Sequence, residues 1–273
     1  MLRFPVILAL VRRQVLLFTR NPVRALELLF WPVVQLLVWG FVTVFLQQQL
    51  QEETGTEGRN LIHFITFLIG AIILWDALFR SQQGVAISFL EDVWTRNLLN
   101  IFAAPIRMTE YLAASFTVGG LRVLVTALVM ALIAVVSYGF NLFQFEWLLI
   151  PFYGNLLMFG WALGIVSTSL ILRFGHAAES LAWAVPFMVQ PFACVFYDVG
   201  VLPRWMQVVS LSMPPAHIFE GMREVLDTGE MDPRKLLMAT ALNGLYLLGA
   251  GMLFSRMLSI ARHRGLLVKA ASS

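Results

Sequence analysis

The sequence predicts an all-α membrane protein with six transmembrane helices. A basic amphipathic helix lies in the interface before the first span, a cytosolic amphipathic helix follows the second, and an outer helical hairpin precedes the last. The first observation behind this is composition. Of 273 residues, 59% are hydrophobic and 13% charged, whereas a soluble domain carries about 25% charged residues; mean hydropathy is +0.78. The second is the presence of six apolar segments of spanning length, 25–47, 61–81, 111–138, 147–171, 181–197 and 236–255. The third is the placement of arginine and lysine around them.

Each element has its own reason. Residues 1–24 carry Arg3, Arg12, Arg13, Arg20 and Arg24 among apolar residues. They lack the single basic region and small-residue cleavage site of a signal peptide, so a helix lying in the inner headgroup layer is expected. Residues 89–105 separate the second and third spans; read as one helix, Leu90, Val93, Trp94, Leu98, Ile101 and Phe102 share a face, and Glu91, Asp92, Thr95, Arg96 and Asn100 lie largely opposite. Short, charged and ended by Pro105, this segment cannot span. The fifth span is the shortest and fits a tilted helix or a thinned bilayer. Between it and the sixth, residues 199–228 read as two short helices bracketed by Pro203, Pro214 and Pro215. A re-entrant hairpin and a surface-lying pair both fit this pattern. With no repeat, linker or low-complexity tract, residues 1–273 are expected to form a single membrane domain.

Orientation follows from charge. With both termini inside, thirteen basic residues are cytosolic: the five N-terminal arginines, Arg80, Arg96, Arg107, Arg173, Arg256, Arg262, Arg264 and Lys269. Five are outside, namely Arg59, Arg204, Arg223, Arg234 and Lys235, while Arg122 falls within a span. The first outer loop sets Glu52, Glu53 and Glu57 against Arg59 alone. The bias places residues 89–105 in the cytosol.

Catalytic signatures are missing from the sequence. No G-x-x-x-x-G-K-[ST] loop occurs and the chain has only Lys235 and Lys269 as lysines, so it houses no phosphate-loop nucleotide site. H-E-x-x-H and G-x-S-x-G are also lacking, and a non-catalytic membrane subunit is expected. The scattered basic residues make no nucleic-acid patch. Cys194, the only cysteine, excludes an intramolecular disulfide. His217, Glu220 and Glu224 share a helical face, but Glu220 and Arg223 stand at ordinary ion-pair spacing and no metal site is assigned.

Polar residues within the apolar segments are the remaining candidates. Asp76, deep in the second span, has Arg80 one turn away as its obvious partner, with structural pairing favoured over substrate contact. Arg122 and Glu27 raise the same question, and Gln35, Gln190 and Asn243 either line a pathway or bond between helices. The aromatic residues Trp31, Trp39, Phe41, Phe45, Trp161, Trp183, Phe187 and Phe192 suit interfacial belts and packing.

Over nearly its whole length the chain resembles the ABC type-2 membrane permeases. The most specific stretch is 89–114: Leu90-Glu91-Asp92, Arg96-Asn97-Leu98-Leu99, Ala104-Pro105-Ile106 and Glu110-Tyr111 resemble that family's cytosolic signature. Where the family commonly has E-x-x-x-G-T-L-E and then a T-P or S-P dipeptide, this chain has Trp94-Thr95-Arg96-Asn97 and Ala104-Pro105. Leu211 to Arg223 is similar to the family's outer P-x-x-x-x-x-E-x-x-R segment.

The resemblance implies the transmembrane subunit of an ATP-driven exporter in a bacterial-type cytoplasmic (inner) membrane. Residues 89–105 would then be a coupling helix docking on a separate ATPase chain, with Glu91, Asp92, Arg96 and Asn97 as the coupling residues. Two permeases and two ATPases would form the working unit. ATP and magnesium would be used by the ATPase, and this chain would bind no cofactor. Asp76, Arg80, Arg122 and Gln35 would be pathway or interhelical residues. The cargo stays open between a glycan or lipid-linked polymer and a small drug or antibiotic. A proton-coupled secondary transporter working through Asp76 is the alternative class.

Overall fold

Long uninterrupted apolar stretches without interior glycine–proline pairs favour continuous helices, and the computed structural model, which describes residues 2–54 and 58–263, is built of helices joined by short turns. They are α1 (Phe4–Thr19), α2 (Pro22–Thr54), α3 (Gly58–Trp94), α4 (Leu98–Ala103), α5 (Met108–Tyr138), α6 (Leu149–Phe174), α7 (Glu179–Val189), α8 (Arg204–Leu211), α9 (Pro214–Thr228) and α10 (Pro233–His263). Short 3-10 turns lie at Leu142–Leu148, Gly175–Ala178 and Val199–Val201. Glu57, Arg264 and Lys269, used above for orientation, lie outside the described residues, as do the side chains of Glu52, Glu53, Arg59, Phe102 and Arg262.

Among the described residues, four segments are long and apolar enough to cross a membrane: Pro22–Leu46, Met108–Tyr138, Leu142–Phe174 and Pro233–Ala261. They correspond to the expected first, third, fourth and sixth spans. The second forms part of α3. The fifth departs from expectation, because Leu181–Tyr197 is not one helix. α7 stops at Val189 after 11 residues, and residues 190–197 continue as turns. The cause is covalent: Pro186 and Pro191 have no amide proton to give to the helix ladder, and Cys194 then takes a left-handed backbone (φ 53°).

A second correction concerns residues 89–105, which do not form one amphipathic helix. Phe89–Trp94 is the end of α3, and a separate six-residue helix, α4, follows. Between them the Arg96 amide bonds to Val93 O and the Asn97 amide to Asp92 O at 2.9 Å, with Arg96 in the left-handed region (φ 54°). That is a Schellman stop, a device normally signalled by glycine at the left-handed position; arginine there hid it from the sequence pattern.

Helix α3 is the spine, flanked by α5 and α6. Backbones approach closely where side chains vanish. A Cβ at Gly160 of α6 would fall 2.6 Å from Leu78 O, and one at Gly164 2.6 Å from Val85 Cβ. One at Gly84 of α3 would fall 2.5 Å from Gly119 Cα of α5. Small residues four apart thus let helices touch in an apolar medium where hydrophobic burial offers little extra attraction. Polar pins complete the seam: Ser81 Oγ donates to Leu157 O (2.8 Å), and Gln82 Nε2 donates to Ser167 Oγ (3.0 Å) and Ala182 O (2.9 Å). Across the bundle, Asn243 Nδ2 donates to Asn155 O and Oδ1 at 3.0 and 2.9 Å, tying α10 to α6. Asn243 therefore bonds between helices.

The segment after α7 forms two short helices, as expected. α9 buries Ile218, Phe219 and Met222 completely, and Met222 Sδ would meet a Cβ on Gly70 of α3 at 3.5 Å. α8 leaves Trp205 and Val208 exposed. The Arg223 guanidinium stacks 4.4 Å from the Phe67 ring centroid and donates to Cys194 O and to Tyr197 O (2.6 Å). It thereby satisfies carbonyls of the irregular segment that follows α7.

Candidate functional site

Two regions gather the charged residues of this apolar chain, and they meet at Arg24 and Glu91. The first is the cap formed by α1 on the ends of α3 and α5. Arg3 grips Glu110 with its backbone amide (3.1 Å) and with Nε and Nη2 (2.9 and 2.8 Å), a bidentate fork on a fully buried carboxylate. Arg13 pairs with Asp92. The Tyr111 hydroxyl donates to Asp92 Oδ2 at 2.6 Å, and Ser88 Oγ meets Gln14 Oε1 at 3.0 Å. Arg24 stands 3.6 Å from Glu91. The N-terminal arginines are thus divided: Arg12 and Arg20 are exposed, while Arg3 and Arg13 bind α1 to the bundle.

This cap reverses part of the expected division of labour in residues 89–105. Leu90, Val93, Leu98 and Ile101 are buried against the chain's own helices, as their spacing predicts. Asp92 is buried too, and Glu91 turns toward Arg24, so the two carboxylates contact residues of α1, α2 and α5. Burial pushes the Glu91 carboxyl up, against the pull of Arg122 and Arg24. What stays outside is the turn itself: Thr95, Arg96 and Asn100 are exposed and Asn97 is half-buried. Trp94, expected on the apolar face, is exposed, and its indole N–H donates to Glu179 at the start of α7 (3.2 Å).

The second region is a cavity of about 520 Å³ between α2 and α7, floored by α3 and α5. Asp76, Arg80, Arg122 and Gln35, four residues scattered over 88 positions of sequence, all line it, together with Arg24, Glu27 and Glu91. Trp31, Phe79, Trp183 and Phe187 supply its apolar wall. Asp76 and Arg80 pair at 3.2 Å, both nearly sealed from solvent, which is the i, i+4 pairing their spacing predicts. Arg122 differs. Its guanidinium lies 4.0 Å above the Phe18 ring, and its Nε and Nη2 are buried with no hydrogen-bond partner. The sequence flagged Arg122 by its depth in a span; the ring beneath it, from α1, had no sequence signal.

No cluster of metal-binding side chains occurs among the described residues; Glu220 bonds Arg223 at 2.8 Å and Glu224 bonds Lys235 at 3.0 Å. Comparison with known proteins gives one family: residues 5–226 match the family model described as ABC-2 type transporter. No curated protein matches the chain.

Proposed function

The chain belongs to the ABC-2 type transporter family, which makes it a multi-pass permease subunit of an ABC transporter, and we propose that it is the membrane half of an ATP-driven exporter whose ATPase is a separate chain. Export, the N-in and C-in orientation, and two copies of each subunit belong to this proposal. In it, α2, α3, α5, α6 and α10 cross the bilayer and α7 with its following turns makes the sixth passage, with α8 and α9 folded back from the outer side. The observation that carries it is the knuckle at the end of α3, where Thr95, Arg96 and Asn100 are exposed and whose base the α1 cap holds. A partner pushing on that knuckle moves α3 as a rod, and α3 touches every helix of the cavity. Coupling of this kind needs the partner to hold the knuckle differently in its ATP-bound and ATP-free states.

Arg96 and Asn97, with Asn100, are then the docking contacts; Glu91 and Asp92 act as the struts that hold the knuckle's base. The exposed aromatic flanks of the cavity on α2 and α7, Trp31, Trp183 and Phe187, suit a second permease copy that would close the pathway. Asp76 pairs with Arg80 at 3.2 Å, which supports a structural role for it over that of a lone proton carrier.

Co-expression with the ATPase chain tests the docking. Arg96→Glu combined with Asn100→Arg should cut ATPase co-purification about tenfold or more. Arg96→Gly should do the same while keeping or raising the melting temperature, since glycine relieves the left-handed strain. Unchanged association in both variants would overturn the assignment.

A further inference from the structure

A guanidinium buried without hydrogen-bond partners is costly, and natural structures rarely leave one. Of the cavity's carboxylates, Asp76 is buried and paired with Arg80, Glu91 is half-buried and stands 3.6 Å from Arg24, and Glu27 is exposed. Arg122 feels the charge of Glu91 but makes no hydrogen bond through Nε or Nη2; beneath it lies the face of Phe18, and a ring face attracts the cation without accepting its in-plane N–H groups. The unsatisfied atoms are Nε and Nη2, which form one edge of the guanidinium plane, the fork that takes two oxygens of a carboxylate or phosphate side by side. Around this fork the wall is Trp31, Phe79, Trp183 and Phe187.

We infer that the cavity binds an amphiphile carrying an oxyanion, with the oxyanion in the Arg122 fork and the apolar body along the tryptophan and phenylalanine wall. An inorganic anion lacks the apolar body, and a cationic amphiphile would meet Arg122 as a like charge. The oxyanion belongs either to a bilayer lipid or to a transported molecule; the chemistry at the fork is the same. This deepens the permease proposal by naming a ligand class for its pathway. Binding is measured without the ATPase, so failure here leaves the docking result standing, and the reverse holds.

The test uses the full chain purified in a neutral maltoside detergent, with calorimetry and the fluorescence of Trp31, Trp94 and Trp183 as readouts. Dodecyl phosphate should bind saturably and at least about tenfold more tightly than dodecyltrimethylammonium or inorganic phosphate. Arg122→Gln should weaken dodecyl phosphate binding about tenfold or more, and Arg122→Lys, which keeps the charge but loses the fork, should fall between. Vesicles separate the sources: competition by phosphatidylglycerol and not phosphatidylcholine marks a lipid ligand, while indifference to both marks a transported one. If the wild-type chain takes the cationic amphiphile equally well, the inference is wrong whatever the variants do. Undiminished binding of dodecyl phosphate by folded Arg122→Gln also overturns it.

Discussion

Asp92 illustrates how little a residue type says about its direction. In sequence it sits beside Glu91 on the polar side of an amphipathic segment, and exposure is the natural expectation. In the fold its side chain is 3% exposed and holds both Arg13 and the Tyr111 hydroxyl. Removing one member of such a set strands the others in a dry site. Asp92→Ala should therefore lower stability by about 2 kcal/mol, read as a fall in melting temperature of the purified protein. Asp92→Asn keeps an acceptor for Tyr111 and should lose less. Arg96, two residues after Trp94, shows the opposite case: a residue read as a docking contact also occupies a backbone position that favours glycine.

At the scale of elements, capping and breaking decided what periodicity could not. Proline bracketing correctly marked α8 and α9, because a missing amide proton is legible in any context. The end of α3 was not legible, since its stop depends on a left-handed arginine. The junction between α9 and α10 rests on Glu224, which accepts from the Asp232 amide (3.1 Å) and from Lys235 (3.0 Å). These partners hold the Glu224 carboxyl below its ordinary value of 4.5. A depressed folded value means the contribution is fully present above the ordinary glutamate range and is lost as pH falls through the folded one. Protection of the Asp232 amide, meaning its exchange relative to the intrinsic rate, should accordingly fall as pH drops below the ordinary glutamate range, and Glu224→Gln should flatten that dependence.

For the whole molecule the governing contact is the seam of α3 with α6. Gly160→Val would drive a side chain into the Leu78 carbonyl and Ser81, with no flexible neighbour to give way. A loss of about 3 kcal/mol or more is expected, seen as aggregation or a sharply lowered melting temperature, whereas Gly154→Val, with open space around it, should be close to neutral. The same seam explains why the cavity exists: α3 is pulled onto α5 and α6, leaving α2 and α7 apart on its other side. By itself the sequence determined the membrane class, the long helices at the first, second, third, fourth and sixth segments, the pair of short helices after α7 and the Asp76–Arg80 pair. Those features are written in composition, local spacing and backbone chemistry. Only the tertiary structure decided that Asp92 faces inward and that Asp76, Arg80, Arg122 and Gln35 line one cavity. Such facts depend on which helices touch, and that is set by close approach between residues far apart in the chain.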